Sequence, residues 1–258
     1  MSTLDQHIKQ GVCLLTLQRP DKYNAFNREL SMELQSALSS AHSNEDVRAI
    51  VLTGAGKAFC SGQDLGEAID PQGVGLDRIL SEHYNPLVRL MRSVMKPIVV
   101  AVNGVAAGAG ANLALTGDIV LASEHATFIQ AFANIGLVPD TGGTWTLPRL
   151  VGPGRASAWM MLGDKISAQE AQQAGMIYRV CPADRLQDEA MQIALRLAQA
   201  PTKAFALTKQ ALNASVFAGL DAQLELEREL QNQAGASHDF AEGVQAFLEK
   251  RRPVFTGK

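Results

Sequence analysis

The stretch from residue 98 to residue 122 constrains this chain more than any other. Ile98–Asn103 is an apolar run, bounded by Pro97 and Gly104, that reads as a buried strand. A glycine-rich turn, Gly104–Gly110, leads into a short helix through Ala111–Leu115, and Asp118–Ala122 is again strand-like. Strand, tight turn, helix and strand in that order require a crossover connection between parallel strands. An α/β fold follows.

The flanking segments fit the same plan. Val12–Leu17 is a β-rich run that stops at Arg19-Pro20, because proline pushes the residue before it into extended geometry. A helix is expected from Arg28 to His42, with Leu30, Leu34, Ala37, Leu38 and Ala41 on one face and Asn27 as N-cap. Arg48–Thr53 is the next strand, followed by a loop over Lys57–Leu76 that is rich in Gly and Asp. Residues 78–95 have helical periodicity, interrupted at Asn85-Pro86. Beyond about residue 150 strands are expected to cease. Ser167-Ala-Gln-Glu170 is a capping box and Gly175 a fitting stop for its helix. Asp184–Gln199, Thr202–Phe217, Asp221–Ala234 and Asp239–Lys250 are all helical in pattern. The expected organisation is an α/β core over residues 1–195 and a helical region over 196–258.

Composition excludes several function classes. With 258 residues, 47% of them hydrophobic, the chain can build a core without disulfides or metal. Cys13, Cys60 and Cys181 show no CxxC spacing and read as free thiols in a reducing compartment. The histidines at 7, 42, 83, 125 and 238 lack ligand spacing, so no metal site is expected. A net charge of −3 without any Lys/Arg-rich run argues against nucleic acid as the main partner. The polar start MSTLDQHIKQ lacks a signal-like apolar core, and Ile98–Val102 and Val105–Ala111 are far too short to span a bilayer. A cytoplasmic protein without a membrane partner is expected. Gly56-Lys57 is followed by Ala58, with Val51 where a Walker loop needs glycine. Gly108-Ala-Gly110 has Leu113 at the third glycine position of a dinucleotide fingerprint, and Cys60-Ser61-Gly62 lacks the first glycine of a nucleophile elbow.

Two loops retain the right chemistry for an oxyanion: Lys57–Leu65, directly after a strand, and Asn103–Asn112, a strand leading into a helix. Small residues in the second let a ligand approach the backbone, and a helix start leaves N–H groups unpaired. Such preorganised donors can be worth roughly 3–4 kcal/mol each in a transition state. Taken alone, these glycines would serve equally well for tight turns and close helix–sheet packing.

Together with Arg19-Pro-Asp-Lys-Tyr-Asn-Ala-Phe26, Ala101–Ile119, Gly136-Leu-Val-Pro-Asp-Thr-Gly-Gly-Thr144 and Leu162-Gly163 through Ala174-Gly175-Met-Ile177, the two loops resemble the crotonase (enoyl-CoA hydratase/isomerase) superfamily over essentially the whole chain. The resemblance implies a spiral of ββα units with a C-terminal helical trimerisation region, a homotrimer or a hexamer of paired trimers, and an acyl-CoA thioester substrate. Coenzyme A would arrive as part of that substrate, with no separate cofactor. The thioester oxygen would be held by the N–H groups of Gln63 and Ala109. Substrate contacts are implied at Lys22, Ala25, Lys57, Ala58, Asp64, Leu65, Gly108, Gly110, Asn112 and Phe132.

Hydratases of this family use two glutamates, and the matching positions here are Asn112 and Phe132, neither an acid nor a base near neutral pH. A carboxylate stands instead at Asp140, where isomerases of the family carry a catalytic Asp; a helix N-cap ahead of Thr141–Thr144 is the alternative. Asn112 would orient substrate or water, or only satisfy a polar neighbour, and Asp64 would cap or brace its loop. Phe132, Leu137, Trp145 and Tyr84 are either an apolar wall for a ring or plain core. One branch of the family, which rearranges ring-1,2-epoxyphenylacetyl-CoA to oxepin-CoA and shifts 3-enoyl to 2-enoyl thioesters, is similar at Gly62-Gln-Asp-Leu65, Tyr84-Asn-Pro-Leu-Val88, Pro139–Trp145 and Phe255-Thr-Gly-Lys258. Two other readings stand beside it. One is a general Δ3,Δ2-enoyl-CoA isomerase or hydratase-like enzyme of fatty acid oxidation. The other is a non-catalytic CoA- or RNA-binding relative, against which Asp140 and the lack of a Lys-rich helical face both speak.

Overall fold

A computed structural model describes residues 2–258. Strands β1 (Leu4–Lys9) and β2 (Val12–Leu17) form a hairpin through Gln10 and Gly11, both left-handed as a two-residue turn requires. Helix α1 (Arg28–Ser43) starts where the Asn27 side chain accepts from the Leu30 N–H, and it buries the apolar face read from its periodicity. Strands β3 (Ala49–Gly54) and β4 (Ala58–Cys60) follow, then short helices α2 (Leu65–Ala68) and α3 (Gly75–Arg78). A π-helical turn, Ile79–Tyr84, runs without a break into α4 (Asn85–Ser93), with Pro86 directly after the π-helical turn.

The chain continues through β5 (Ile98–Val102), β6 (Val105–Ala107), α5 (Ala109–Ala114), β7 (Ile119–Ser123) and β8 (Thr127–Ile129). A 3-10 turn at Ala131–Ile135 precedes α6 (Gly143–Val151) and α7 (Pro153–Leu162). Next are β9 (Lys165–Ser167), α8 (Ala168–Gln173), entered through the full capping box of Ser167 and Glu170, and β10 (Arg179–Cys181). Four helices complete the chain: α9 (Leu186–Ala198), α10 (Thr202–Ser215), α11 (Leu220–Gly235) and α12 (His238–Leu248).

The strands sort into two sheets, β1-β2-β3-β5-β7-β10 and β4-β6-β8-β9. The larger is parallel beyond its first hairpin, and the smaller is parallel up to its last pair. Successive strands alternate between the sheets, β3 then β4, β5 then β6, β7 then β8, which is the α/β spiral expected. One face of the larger sheet buries Val12, Val51, Val99 and Leu121 against Ala190, Ala194 and Ala198 of α9. The other face, with Leu15, Ile50, Leu52 and Val100, packs towards Phe59, Phe128 and Leu113 in the space between the sheets.

Two expectations are corrected. Strands do not cease near residue 150: β9 and β10 lie beyond it and extend both sheets. Each is three residues long, too short for an alternating pattern to register. Nor is Lys57–Leu76 all loop, since β4 and α2 fall within it. Among the described residues no helix is long and apolar enough to cross a membrane.

Candidate active site

The site is built where β4 and β6 end. After β4 the chain turns at Gly62 (φ +97°), and Phe26 and Gln63 pair as an isolated parallel bridge. The Phe26 N–H donates to the Gly62 carbonyl (2.7 Å), and the Asp64 N–H donates to the Phe26 carbonyl (2.8 Å). In such a bridge the N–H of the middle residue, Gln63, points to the opposite side. Among the described residues it meets no acceptor. After β6, the Gly108 N–H is tied to the Ile129 carbonyl (2.9 Å), and Ala109 opens α5 with a first-turn N–H that has no intrahelical partner.

The two loops touch. A Cβ on Gly62 would lie 3.0 Å from the Ala107 carbonyl oxygen and 3.6 Å from the Ala109 nitrogen. Gly110 packs from behind, where a Cβ would overlap the Cys60 carbonyl and stand 2.7 Å from Cys60 Sγ. Bare backbone at 62 and 110 is thus what allows the free donors at 63 and 109 to face one cavity.

That cavity measures about 690 Å³. Gly62, Gln63, Gly108 and Ala109 form one wall, and Leu65, Ile79, Leu80, Phe132 and Leu137 supply apolar surface. The π-helical turn brings Ile79, Leu80 and Tyr84 to it together. Tyr84 is buried, sits edge-on to Phe26 and donates its O–H to Gln63 Oε1 (2.8 Å), a link across 21 residues with no local sequence signal.

Asp140 lines the same cavity. It is not a helix cap: α6 begins at Gly143 with Gly142 as its N-cap. Its carboxylate accepts from Thr141 Oγ1 (2.7 Å), and its carbonyl accepts from the Gly143 N–H (2.8 Å). Desolvation against apolar walls raises the carboxyl above the usual aspartate range, with the Thr141 hydroxyl opposing the shift. A carboxylate held this way in a cleft is suited to carrying a proton. Asp64, also on the lining, behaves oppositely. Burial pushes its carboxyl up, but the hydrogen bond and charge of Arg19 (2.9 Å) outweigh that and hold it below the ordinary range. It also caps α2 by accepting from the Gly66 N–H.

The structure brings Gln63, Ala109, Asp140, Lys22, Ala25, Asp64, Leu65, Gly108 and Phe132 onto one cavity, with Leu137 and Tyr84. It places four other expected contact residues outside the lining. Lys57 is exposed in the turn before β4, and Ala58 is buried within that strand. Gly110 is pressed against Cys60, and Asn112 points inward from α5, fully buried. Trp145 also lies elsewhere, paired with Phe217 beside a separate cavity of about 460 Å³. Sequence reasoning missed Ile79, Leu80 and Val138 for the lining: the first two fall in the helical pattern over 78–95, which tells buried from exposed positions but not core from cavity wall, and Val138 belongs to no periodic run.

A model of the family described as enoyl-CoA hydratase/isomerase matches residues 7–258. The chain is 48% identical over 261 residues to the 1,2-epoxyphenylacetyl-CoA isomerase of Escherichia coli (strain K12), covering 100% of both chains. It is also 48% identical over 256 residues to a Rhodobacter capsulatus protein named "Probable enoyl-CoA hydratase", covering 99% of this chain and 98% of that one. The crystal structure of an enoyl-CoA hydratase from Bacillus anthracis superposes with a TM-score of 0.92 at 32% identity, covering 99% of this chain and 100% of the other.

Proposed function

Since the chain belongs to the enoyl-CoA hydratase/isomerase family, we propose that it is an acyl-CoA isomerase that converts ring-1,2-epoxyphenylacetyl-CoA to oxepin-CoA and also shifts 3-enoyl to 2-enoyl thioesters. The observation that carries this reading is the meeting of two unpartnered backbone donors, at Gln63 and Ala109, with a single desolvated carboxylate, Asp140, on one apolar cavity.

The thioester oxygen accepts from both N–H groups, which stabilise the enolate formed as the α-carbon loses its proton. Asp140 takes that proton and returns it two carbons further along, so the double bond moves into conjugation and no atom is gained or lost. With the epoxide, opening of the ring bond beneath the oxygen gives the seven-membered ring, and the same proton shift conjugates it with the thioester. Coenzyme A enters only as part of the substrate, and Lys22, exposed at the cavity, would meet its phosphates.

Water addition requires a second acid or base. Besides Asp140, the lining carries one other carboxylate, Asp64, which is held by Arg19 and by its helix cap, while Phe132 presents only a ring. A homotrimer, or a hexamer of paired trimers, in the cytoplasm goes with this reading. It is supported by exposed Phe217, Leu220, Leu224 and Phe247 on or beside the last helices, and by three buried free cysteines.

The test is Asp140→Asn assayed with the epoxide and with a linear 3-enoyl-CoA. Loss of about 10²–10⁴ in kcat on both substrates is expected. Full activity on both would remove Asp140 from the reaction.

A further inference from the structure

Asn112 and Gln130 are among the most buried polar side chains of the protein, at 0% and 1% exposure. They form a chain directed at Asp140. Gln130 Nε2 donates to Asn112 Oδ1 (2.8 Å), and Asn112 Nδ2 donates to the Asp140 carbonyl (2.8 Å). That carbonyl also accepts from the Gly143 N–H, so both its lone pairs are used. Gly143 fits the arrangement, since any Cβ there would overlap the Asn112 amide.

The backbone after Asp140 needs such a hold. Thr141 is β-branched, 1% exposed and at φ +52°, a left-handed conformation that costs about 1–3 kcal/mol and persists only where its surroundings enforce it. An amide suits this role because it both accepts and donates. Gln130 supplies a donor, which fixes which end of Asn112 is oxygen and aims its N–H at residue 140. Gln130 Oε1 is itself buried with no partner, so the orientation is kept at some expense in stability.

We propose that Asn112 and Gln130 are positioning residues that hold the strained Asp140–Thr141 backbone so that the Asp140 carboxylate faces the thioester's α- and γ-carbons. This rests on the reading of Asp140 as the proton carrier. Neither side chain touches substrate; both act through residue 140.

Asn112→Asp keeps the shape and the acceptor for Gln130 but sets an oxygen against the Asp140 carbonyl. Gln130→Leu removes the group that orients the amide and, with it, the unpartnered oxygen, so this variant is expected to fold and carries the test alone if Asn112→Asp does not. With a linear 3-enoyl-CoA, each variant should lose tenfold to a hundredfold in kcat, about what a misplacement near 1 Å costs, with KM within about twofold. In Gln130→Leu, which adds no charge beside Asp140, the acid limb of kcat should move to lower pH as the carboxyl leaves its apolar wall. Parent-like kcat and pH profile would overturn the proposal, as would a loss of kcat matched by an equal loss of affinity for a 2-enoyl-CoA product. Asp140→Asn, run alongside, separates the two readings. Full activity there refutes the proton carrier itself, whereas an inactive Asp140→Asn beside parent-like Asn112 and Gln130 variants refutes only the positioning chain.

Discussion

Replacing Gly62 by alanine perturbs the proposed oxyanion site without touching any side chain that reacts. The residue sits at φ +97°, where a Cβ costs about 1–2 kcal/mol. The new carbon would stand 3.0 Å from the Ala107 oxygen, a few tenths of an ångström closer than such contacts normally come, and 3.6 Å from the Ala109 nitrogen. Because 62 precedes one donor and 107 nearly precedes the other, relief of this contact must spread the two loops apart. A donor moved out of alignment forfeits up to roughly 3–4 kcal/mol of transition-state stabilisation, and half of that is already more than tenfold in rate. The strain alone should lower the melting temperature by roughly 2–8 °C, at 2–4 °C per kcal/mol for a chain of this size. The assay is kcat on a 3-enoyl-CoA, measured well below the melting transition, with thermal unfolding in parallel. A tenfold to thousandfold loss of kcat is expected. A variant that melts lower yet turns over at the parent rate would show that the 62–109 contact does not set the geometry of the donors, and the oxyanion argument would fail.

Two further outcomes follow from the charges around the cavity. Asp140 binds its proton more tightly folded than unfolded, so its ionisation opposes folding: stability is fully present below the ordinary aspartate value and is lost as pH rises through the raised one. Asp140→Asn should therefore melt higher than the parent at pH 7, by the equivalent of about 0.5–2 kcal/mol, with the gap closing towards pH 4; equal melting at pH 7 would contradict the desolvation. Lys22→Ala should raise KM for acyl-CoA by about twofold to fivefold at low ionic strength, leave kcat unchanged, and lose its effect in high salt, while a salt-independent KM change would rule out a phosphate contact.

How far the sequence reaches is decided by range. The strand over Val12–Leu17, the helix capped by Asn27 and the Ser167–Glu170 capping box are local patterns, and the structure contains them as read. β9 and β10 escaped because three residues beside polar neighbours hold no period, and they exist only through the partners they pair with. Trp145 reads in sequence as either cavity wall or core, and the structure turns it towards Phe217 of the helical region, 72 positions away. Asn112 showed the same limit more sharply. Its partners lie 18 and 28 residues along the chain, so its choice between substrate contact and internal brace was not encoded near it.

The residues around the cavity also bear on how one carboxylate would suffice for the proposed isomerisation. A double-bond shift needs a group that is a base in the first half of the turnover and an acid in the second. An ordinary surface aspartate performs the first role weakly and the second hardly at all near neutral pH. Desolvation moves Asp140 towards the range in which both transfers have comparable driving force. In the proposed mechanism the backbone donors at Gln63 and Ala109 act from the other side, stabilising the enolate so that the α-carbon becomes acidic enough for such a base. Each effect is useful only if the other is present, and the first depends on the apolar surface beside the carboxylate, to which Leu65, Ile79, Phe132 and Leu137 contribute. A carboxylate placed at 132 would admit water and a second acid together, and would remove the desolvation that makes a lone Asp140 adequate.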